Sequence, residues 1–213
     1  MATALRNFVN NGSWNTSDDY VPYVHNGSGW VKTHACVNNG STWIQIPNWE
    51  YTGNDYPLSA LTSNTAPSPY SCSASSQYSS TYAPWKAFNK SYSDANGWAG
   101  TNTDTAPWIR LYFAVPLKNI YIQLYNRTRA SLVNGVISAT IQGSDNGSTW
   151  TTIGTISGRN GTSSAYGSTH YCNNYDNTYT WIQLVITDWA NRNASTDKYV
   201  SIGEIYIYGK QDS

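Results

Sequence analysis

Charge is what this chain has least of. Only 11% of its 213 residues are Asp, Glu, Lys or Arg, and twelve of each sign give a formal net charge of zero. A protein that grips duplex nucleic acid neutralises phosphates with clustered Lys and Arg, so a nucleic-acid partner is excluded. Long apolar runs are also missing. None reaches the roughly 18 residues that cross a bilayer, and membrane insertion is not expected. The opening MATALRNFVNNGSW has no extended apolar core of the secretory kind, which points to folding in a reducing compartment. Three cysteines, Cys36, Cys72 and Cys172, can close at most one disulfide, so no disulfide scaffold is possible; Cys72 with Cys172 is one candidate pair. Catalytic signatures are absent too. The three histidines, His25, His34 and His170, form no His-Glu-x-x-His run, and there is no Gly-x-Ser-x-Gly elbow or Cys-x-x-Cys pair. The few carboxylates are scattered over loops and turns, with no pair placed for glycoside hydrolysis. No enzyme activity is expected.

Aromatic rings are abundant: 18 Tyr, 10 Trp and 3 Phe. With Val, Ile and Thr plentiful, Leu scarce and a single Met, the composition favours strands over helices. A short motif recurs as NGSW at 11–14, NGSGW at 26–30, and NGSTW at 39–43 and 146–150. Asn-Gly suits a type I′ turn, whose two central residues both need positive φ. The surroundings VHNGSGWVK (24–32) and VNNGSTWIQ (37–45) therefore read as hairpins. One such hairpin cannot stand alone. Residues 1–60 are thus expected to be a small β-hairpin unit with a linker, serving attachment or oligomerisation. Residues 51–70 carry Gly, Pro and no clean period, which places a boundary near Leu61.

From residue 71 onward, alternation of period two marks strands at 108–113, 119–126, 136–143, 149–156, 179–186 and 199–209. In 119–126, Ile120, Ile122 and Leu124 share one face and Tyr121, Gln123 and Tyr125 the other; in 136–143, Ile137, Ala139 and Ile141 are expected inside. A short turn is expected near Trp85–Phe88, and the polar stretch 158–177 reads as a long loop. Trp30, Trp43, Trp108, Trp150 and Trp181 fall at strand positions, so core packing is their expected role. The sum is an all-β, antiparallel sandwich over 61–213.

Five stretches in order carry a resemblance: SASSQYS (73–79), PWKAFN (84–89) with GWAG (97–100), APWIRLYF (106–113), IQGSDNGSTWTTI (141–153) and SIGEIYIYG (201–209). Together they resemble the discoidin domain, also called the coagulation factor V/VIII type C domain, whose fold is shared by family 32 carbohydrate-binding modules. The resemblance implies a jelly-roll sandwich whose loops at one end bind glycans, phospholipid headgroups or protein surfaces. It implies Trp98 as a buried tryptophan. It also implies one structural Ca²⁺, with Asn89, Asp94, Asn96 and Glu204 at the positions of the family's ion loop and closing-strand glutamate. Asn89 stands where the family has Asp. Calcium takes six to eight oxygens, with carboxylates supplying charge, and Asp94 is the residue that could compensate.

The family's binding loops map onto 77–82, 126–134 and parts of 158–177. Their candidates for ligand contact are Tyr78, Tyr82, Arg127, Arg129, Asn134, Tyr166 and His170. Rings offer platforms for the C–H faces of sugars, while Arg, Asn and His offer directed hydrogen bonds. The forms PWKAF and GSDNGSTW are similar to versions found in bacteriophage tail and adhesion proteins. The resemblance thus implies a non-enzymatic, lectin-like adhesion protein of a phage virion, folded in the host cytoplasm, that recognises cell-surface or mucosal glycans. Other virion proteins are expected partners, and a homo-oligomer such as a trimer would raise the avidity of a shallow site. Two alternatives stand beside this: a purely structural virion decoration or baseplate protein, and a bacterial surface or secreted glycan-binding module.

Overall fold

The computed structural model describes residues 54–93, 96–128, 134–174 and 177–211, and the main chain of 23–25, 30–32, 36–38 and 43–45. The chain divides into two compact units, Met1–Trp49 and Glu50–Ser213. In the first, β1 (Tyr23–His25) pairs antiparallel with β2 (Trp30–Lys32), and β3 (Cys36–Asn38) with β4 (Trp43–Gln45). The Asn-Gly steps at 26–27 and 39–40 lie between these paired strands, as the hairpin reading requires. The NGSW at 11–14 lies outside the described residues.

The second unit is an all-β antiparallel sandwich. Its centre is β8 (Trp108–Tyr125), the longest strand, which belongs to both layers. Through residues 108–112 it pairs with β6 (Ser71–Ala74) on one side and β12 (Tyr179–Trp189) on the other. Beyond β12 lie β9 (Val136–Ser144) and β10 (Thr151–Ile156). Through residues 117–125 it pairs instead with β14 (Glu204–Gln211) and β11 (Gly167–Tyr171). β5 (Asn54–Tyr56) adds to the outer edge of β14. Leu117 at the corner faces both Tyr179 of β12 and Gln211 of β14. The strand therefore climbs one layer and returns down the other, and its two ends come out at the same end of the sandwich.

The alternation expected in 119–126 holds. Ile120, Ile122 and Leu124 are buried against Ile109, Leu111 and Phe113 of the other layer, with Ile141, Ile182 and Leu184 opposite. Burying such side chains stabilises the fold by about 1.5–3 kcal/mol each. Between β9 and β12 the pairing is irregular near Ser138, where Ile186 faces Ala139 and Trp189 faces Val136. This shift buries Val136 in place of the expected Ile137, because a bulge exchanges inward and outward positions.

Three other expectations change. The linker at 51–70 contributes to the sandwich: Tyr56 pairs with Ile207 and packs on Phe113 at 5.8 Å, and Leu61 is buried. The boundary expected near Leu61 therefore moves to Glu50. A three-residue strand is too short to display a period. The loop at 158–177 contains β11, whose polar sequence GSTHY hides it. The Asn-Gly at 146–147 is not a type I′ turn, since Gly147 has φ +67° while Asn146 is not in the positive-φ region. Instead the Asn146 side chain accepts the N–H groups of Ser148 and Thr149.

The turn expected near Trp85 is present as a 3₁₀ turn, Pro84–Ala87, preceded by another, Ser80–Tyr82. Cys72 and Cys172 are both free and buried. Trp98 is fully buried, and Gly97 before it has φ +113°, with space so tight that a Cβ would lie 2.3 Å from the Ile202 carbonyl. Trp108, Trp150 and Trp181 are only half-buried. Their rings surround the Arg110 guanidinium at 4.6, 5.8 and 5.4 Å, a cation–π cluster rather than core.

Candidate functional site

Both ends of β8, the end of β12 and the short pair β7 (Trp98–Ala99) with β13 (Ser201–Ile202) gather the loops at one end of the sandwich. Polar side chains, buried or half-buried, tie these loops together. Arg159 is the centre of one clamp. Its guanidinium donates to Ser168 Oγ and Asn126 Oδ1 and to the carbonyls of Val136, Leu124 and Tyr166. Burial pulls its pKa down to about 10, so it keeps its charge at neutral pH. Asn126 donates to the carbonyls of Asn160 and Ser163. A second clamp is Asn134, fully buried, which donates to the Asp197 carbonyl at 2.7 Å and accepts from Asn191 at 2.7 Å. A third is Asp104, whose carboxylate accepts from the hydroxyls of Ser75 and Ser76 and from the Ala106 N–H.

Two features remain accessible on this scaffold. One is an aromatic shelf. Tyr78 is 49% exposed and meets Tyr82 edge-on at 6.2 Å and Tyr199 at 5.1 Å. The Arg127 guanidinium lies 4.4 Å over the Tyr82 ring, which holds that ring in place. The other is a pocket of about 390 Å³ whose lining includes Asn102, Asp104, Trp189, Arg192, Asn193 and Lys198. Trp189 donates its indole N–H to the Lys198 carbonyl at 2.7 Å, and Arg192 stacks 5.0 Å above its ring. Asn102 lines this pocket, and its Oδ1 is buried with no donor among the described residues. Lys198 and Tyr199 are consecutive and join pocket to shelf.

Of the residues expected to contact ligand, the structure brings Tyr78, Tyr82 and Arg127 into one cluster. Tyr166 sits beside it, partly exposed, with Arg159 5.0 Å over its ring, and its main chain accepts from Asn126. Arg127 is nearly buried, so its role is to brace Tyr82. Asn134 points inward and positions loops. His170 lies on β11, away from the loop tips, with Nε2 2.7 Å from Ser168 Oγ. Burial and then the Arg159 charge push its pKa down to about 4. Arg129 lies outside the described residues. Asn102, Trp189, Arg192 and Lys198 were not visible as site residues in the sequence, because their meeting depends on a loop at 102–105 touching one at 189–198.

The expected ion loop does come together. Glu204 is 1% exposed and accepts the Ser91 N–H at 3.0 Å. Burial pushes its pKa up to about 8, against the pull of main-chain N–H groups at 89–91 and the Lys90 charge. Asn89 donates to Asn96, and Asn96 donates to the hydroxyls of Ser91 and Ser93. Asp94 lies outside the described residues. Domains of this kind often carry a structural calcium. Here the described residues do not fit one: they offer one carboxylate, which faces N–H donors and a lysine, while the two amides bond within their own loop. Among the described residues, no three of His, Cys, Asp and Glu gather as metal ligands.

The fold has solved counterparts. A family 32 carbohydrate-binding module from Clostridium perfringens, solved in complex with GalNAc-β-1,3-galactose, superposes with a TM-score of 0.54 at 15% identity, covering 66% of this chain and 95% of that one. The C-terminal domain of a chitobiase from Bacteroides fragilis gives 0.54 at 17%, covering 68% and 97%. An F5/8 type C domain from the same species gives 0.53 at 18%, covering 68% and 94%. No curated protein matches the chain. The family model for the F5/8 type C domain matches residues 71–205, well over half of the chain. The chain therefore belongs to the F5/8 type C, or discoidin, domain family.

Proposed function

We propose that this protein is a non-enzymatic, lectin-like module that binds carbohydrate at the loop end of its sandwich. The observation that carries this reading is the exposed Tyr78–Tyr82 shelf, braced by Arg127, next to a pocket bearing Asn102, Arg192 and Lys198. A sugar ring offers a C–H face for the shelf and hydroxyls for amide and guanidinium groups. The carboxylate that lines the pocket, Asp104, is held by two serines and a main-chain N–H, which suits a loop clamp. The family and the C. perfringens module solved with a disaccharide support the same reading.

The biological setting we infer is adhesion: copies of the chain in a phage particle, displayed as an oligomer with other virion proteins, engage glycans on cells or mucus. Its support is the likeness of PWKAF and GSDNGSTW to phage forms and the paired hairpins ahead of the sandwich. Many weak sites would add through avidity.

A glycan array probed with the full chain tests the binding. Selective binding that Tyr82→Ala reduces by about tenfold or more, with the melting curve retained, supports the reading. Absence of binding to any glycan at high protein density contradicts it.

A further inference from the structure

The outer face of the β11–β8–β14 layer is paved with tyrosine. Strand alternation turns Tyr121 and Tyr125 of β8, Tyr206 and Tyr208 of β14, and Tyr171 of β11 to this side, and Tyr92 reaches it from the loop after residue 88. The rings touch in a continuous series. Tyr121 lies flat against Tyr208 at 4.4 Å with 2° between planes, and Tyr171 leans on Tyr121 at 5.6 Å. Tyr92 stacks on Tyr125 at 4.7 Å, Tyr125 meets Tyr206 edge-on at 5.8 Å, and Tyr206 meets Tyr208 at 6.5 Å. None of these rings belongs to the core, and the two at the ends of the series are the most exposed: Tyr171 at 51% and Tyr92 at 38%.

The face is polar without being charged. Tyr208 donates its hydroxyl to Gln123 Oε1, which places an amide among the rings. The charges beside them, Asp55 and Lys90, form an ion pair with each other. Lys118 and Lys210 face one another only at the far end of β8 and β14, past the last ring. Burial and neighbouring groups push Tyr121 and Tyr206 up to about 12, so these hydroxyls stay protonated and can donate. Stacked rings, their hydroxyls and one amide held by Tyr208 on a twisted sheet offer apolar and hydrogen-bonding groups side by side. That combination matches an extended polysaccharide, whose sugar faces and hydroxyl edges lie side by side in the same way. An anionic chain would gain little from Lys90, which is already paired with Asp55.

We propose that this tyrosine face is a second carbohydrate-binding surface, one that takes an extended neutral polysaccharide along the side of the sandwich. It is separate from the loop end and stands whether or not the loop end binds a sugar.

Affinity electrophoresis of the full chain in gels containing soluble β-1,4-galactan, laminarin or hydroxyethylcellulose tests this, with polygalacturonate as the charged control. The wild type is expected to be retarded by at least one neutral polymer and less by polygalacturonate. The double variant Tyr92→Ala/Tyr171→Ala, at two exposed positions where surface changes cost little stability, is expected to weaken retardation by about tenfold. The same loss is expected when the double variant is made on a Tyr82→Ala background, where the loop end is already weakened. Retardation lost in Tyr82→Ala but kept in the double variant would overturn the face and leave the loop end standing. No retardation by any neutral polymer, or stronger retardation by polygalacturonate, would also overturn it. So would a wild-type dimer in size-exclusion chromatography with light scattering that the double variant splits, since a second copy would then occupy the face.

Discussion

The loop end and the tyrosine face are both aromatic surfaces of one sandwich, but they are held in opposite ways. At the loop end, few rings are shown and polar groups do the holding: buried Arg159, Asn126 and Asn134 and half-buried Asp104 tie together segments distant in sequence. On the tyrosine face only Tyr92 depends on a buried polar group, through Glu204 and the Ser91 N–H. Strand register alone sets Tyr121 beside Tyr208, and the rings brace one another. A surface made by register tolerates the loss of one ring. A surface made by clamps depends on each clamp, because removing one leaves several desolvated partners unpaired.

The largest expected effect breaks the loop end at its centre. Arg159→Ala takes a donor from the buried Asn126 Oδ1 and from the carbonyls of Val136 and Leu124, and should cost at least about 3 kcal/mol in urea unfolding. An unchanged unfolding midpoint would refute the clamp. Next comes Asn134→Ala, which strips the Asn191 amide and the Asp197 carbonyl of their partner and should cost about 1–3 kcal/mol while weakening any sugar bound at the loop end. If binding falls in Asn134→Ala with full stability kept, Asn134 touches ligand and is not a clamp.

Tyr208→Ala probes the other surface and should cost only about 1 kcal/mol, the worth of one cross-strand aromatic pair. A loss as large as that of Arg159→Ala would erase the contrast between the two regions. A smaller effect is titration of His170. Its folded pKa of about 4 lies below the ordinary 6.5, so the unfolded chain binds the extra proton between those values. Its stabilising contribution is complete above pH 6.5 and is lost as pH falls from 6.5 toward 4. His170→Gln should make the melting temperature less steep in that window, and an identical slope would remove His170 from the account. The smallest effect expected is none: melting in EDTA and in excess calcium should coincide, and a higher midpoint with calcium would restore an ion at Glu204.

The same contrast explains how much could be read in the sequence. Alternation gave both faces of β8 correctly over 119–125, including the outward tyrosines, because period two is local, but not the place of Trp108 at its start. Five short motifs in order pointed to the family, and Trp98 took its expected buried place. What stayed hidden needed distant partners. β5 is too short for a period, and β11 reads as a polar loop. The Val136-for-Ile137 exchange depends on a bulge against β12. At the site, Tyr78, Tyr82 and Arg127 could be placed through family resemblance. The pocket of Asn102, Trp189, Arg192 and Lys198 could not, since nothing local marks residues that meet only after folding. Asn134 and His170 were identified by type as ligand contacts. Their type is equally suited to internal hydrogen bonding, and the structure shows both residues making such bonds.

The most direct test of the central claim is a crystal structure of the full chain soaked with whichever oligosaccharide an array identifies. The account predicts a sugar ring lying against Tyr82 and Tyr78, with hydroxyls reaching toward Asn102 or Arg192. A sugar bound elsewhere on the sandwich, with that shelf and pocket holding only water, would contradict it.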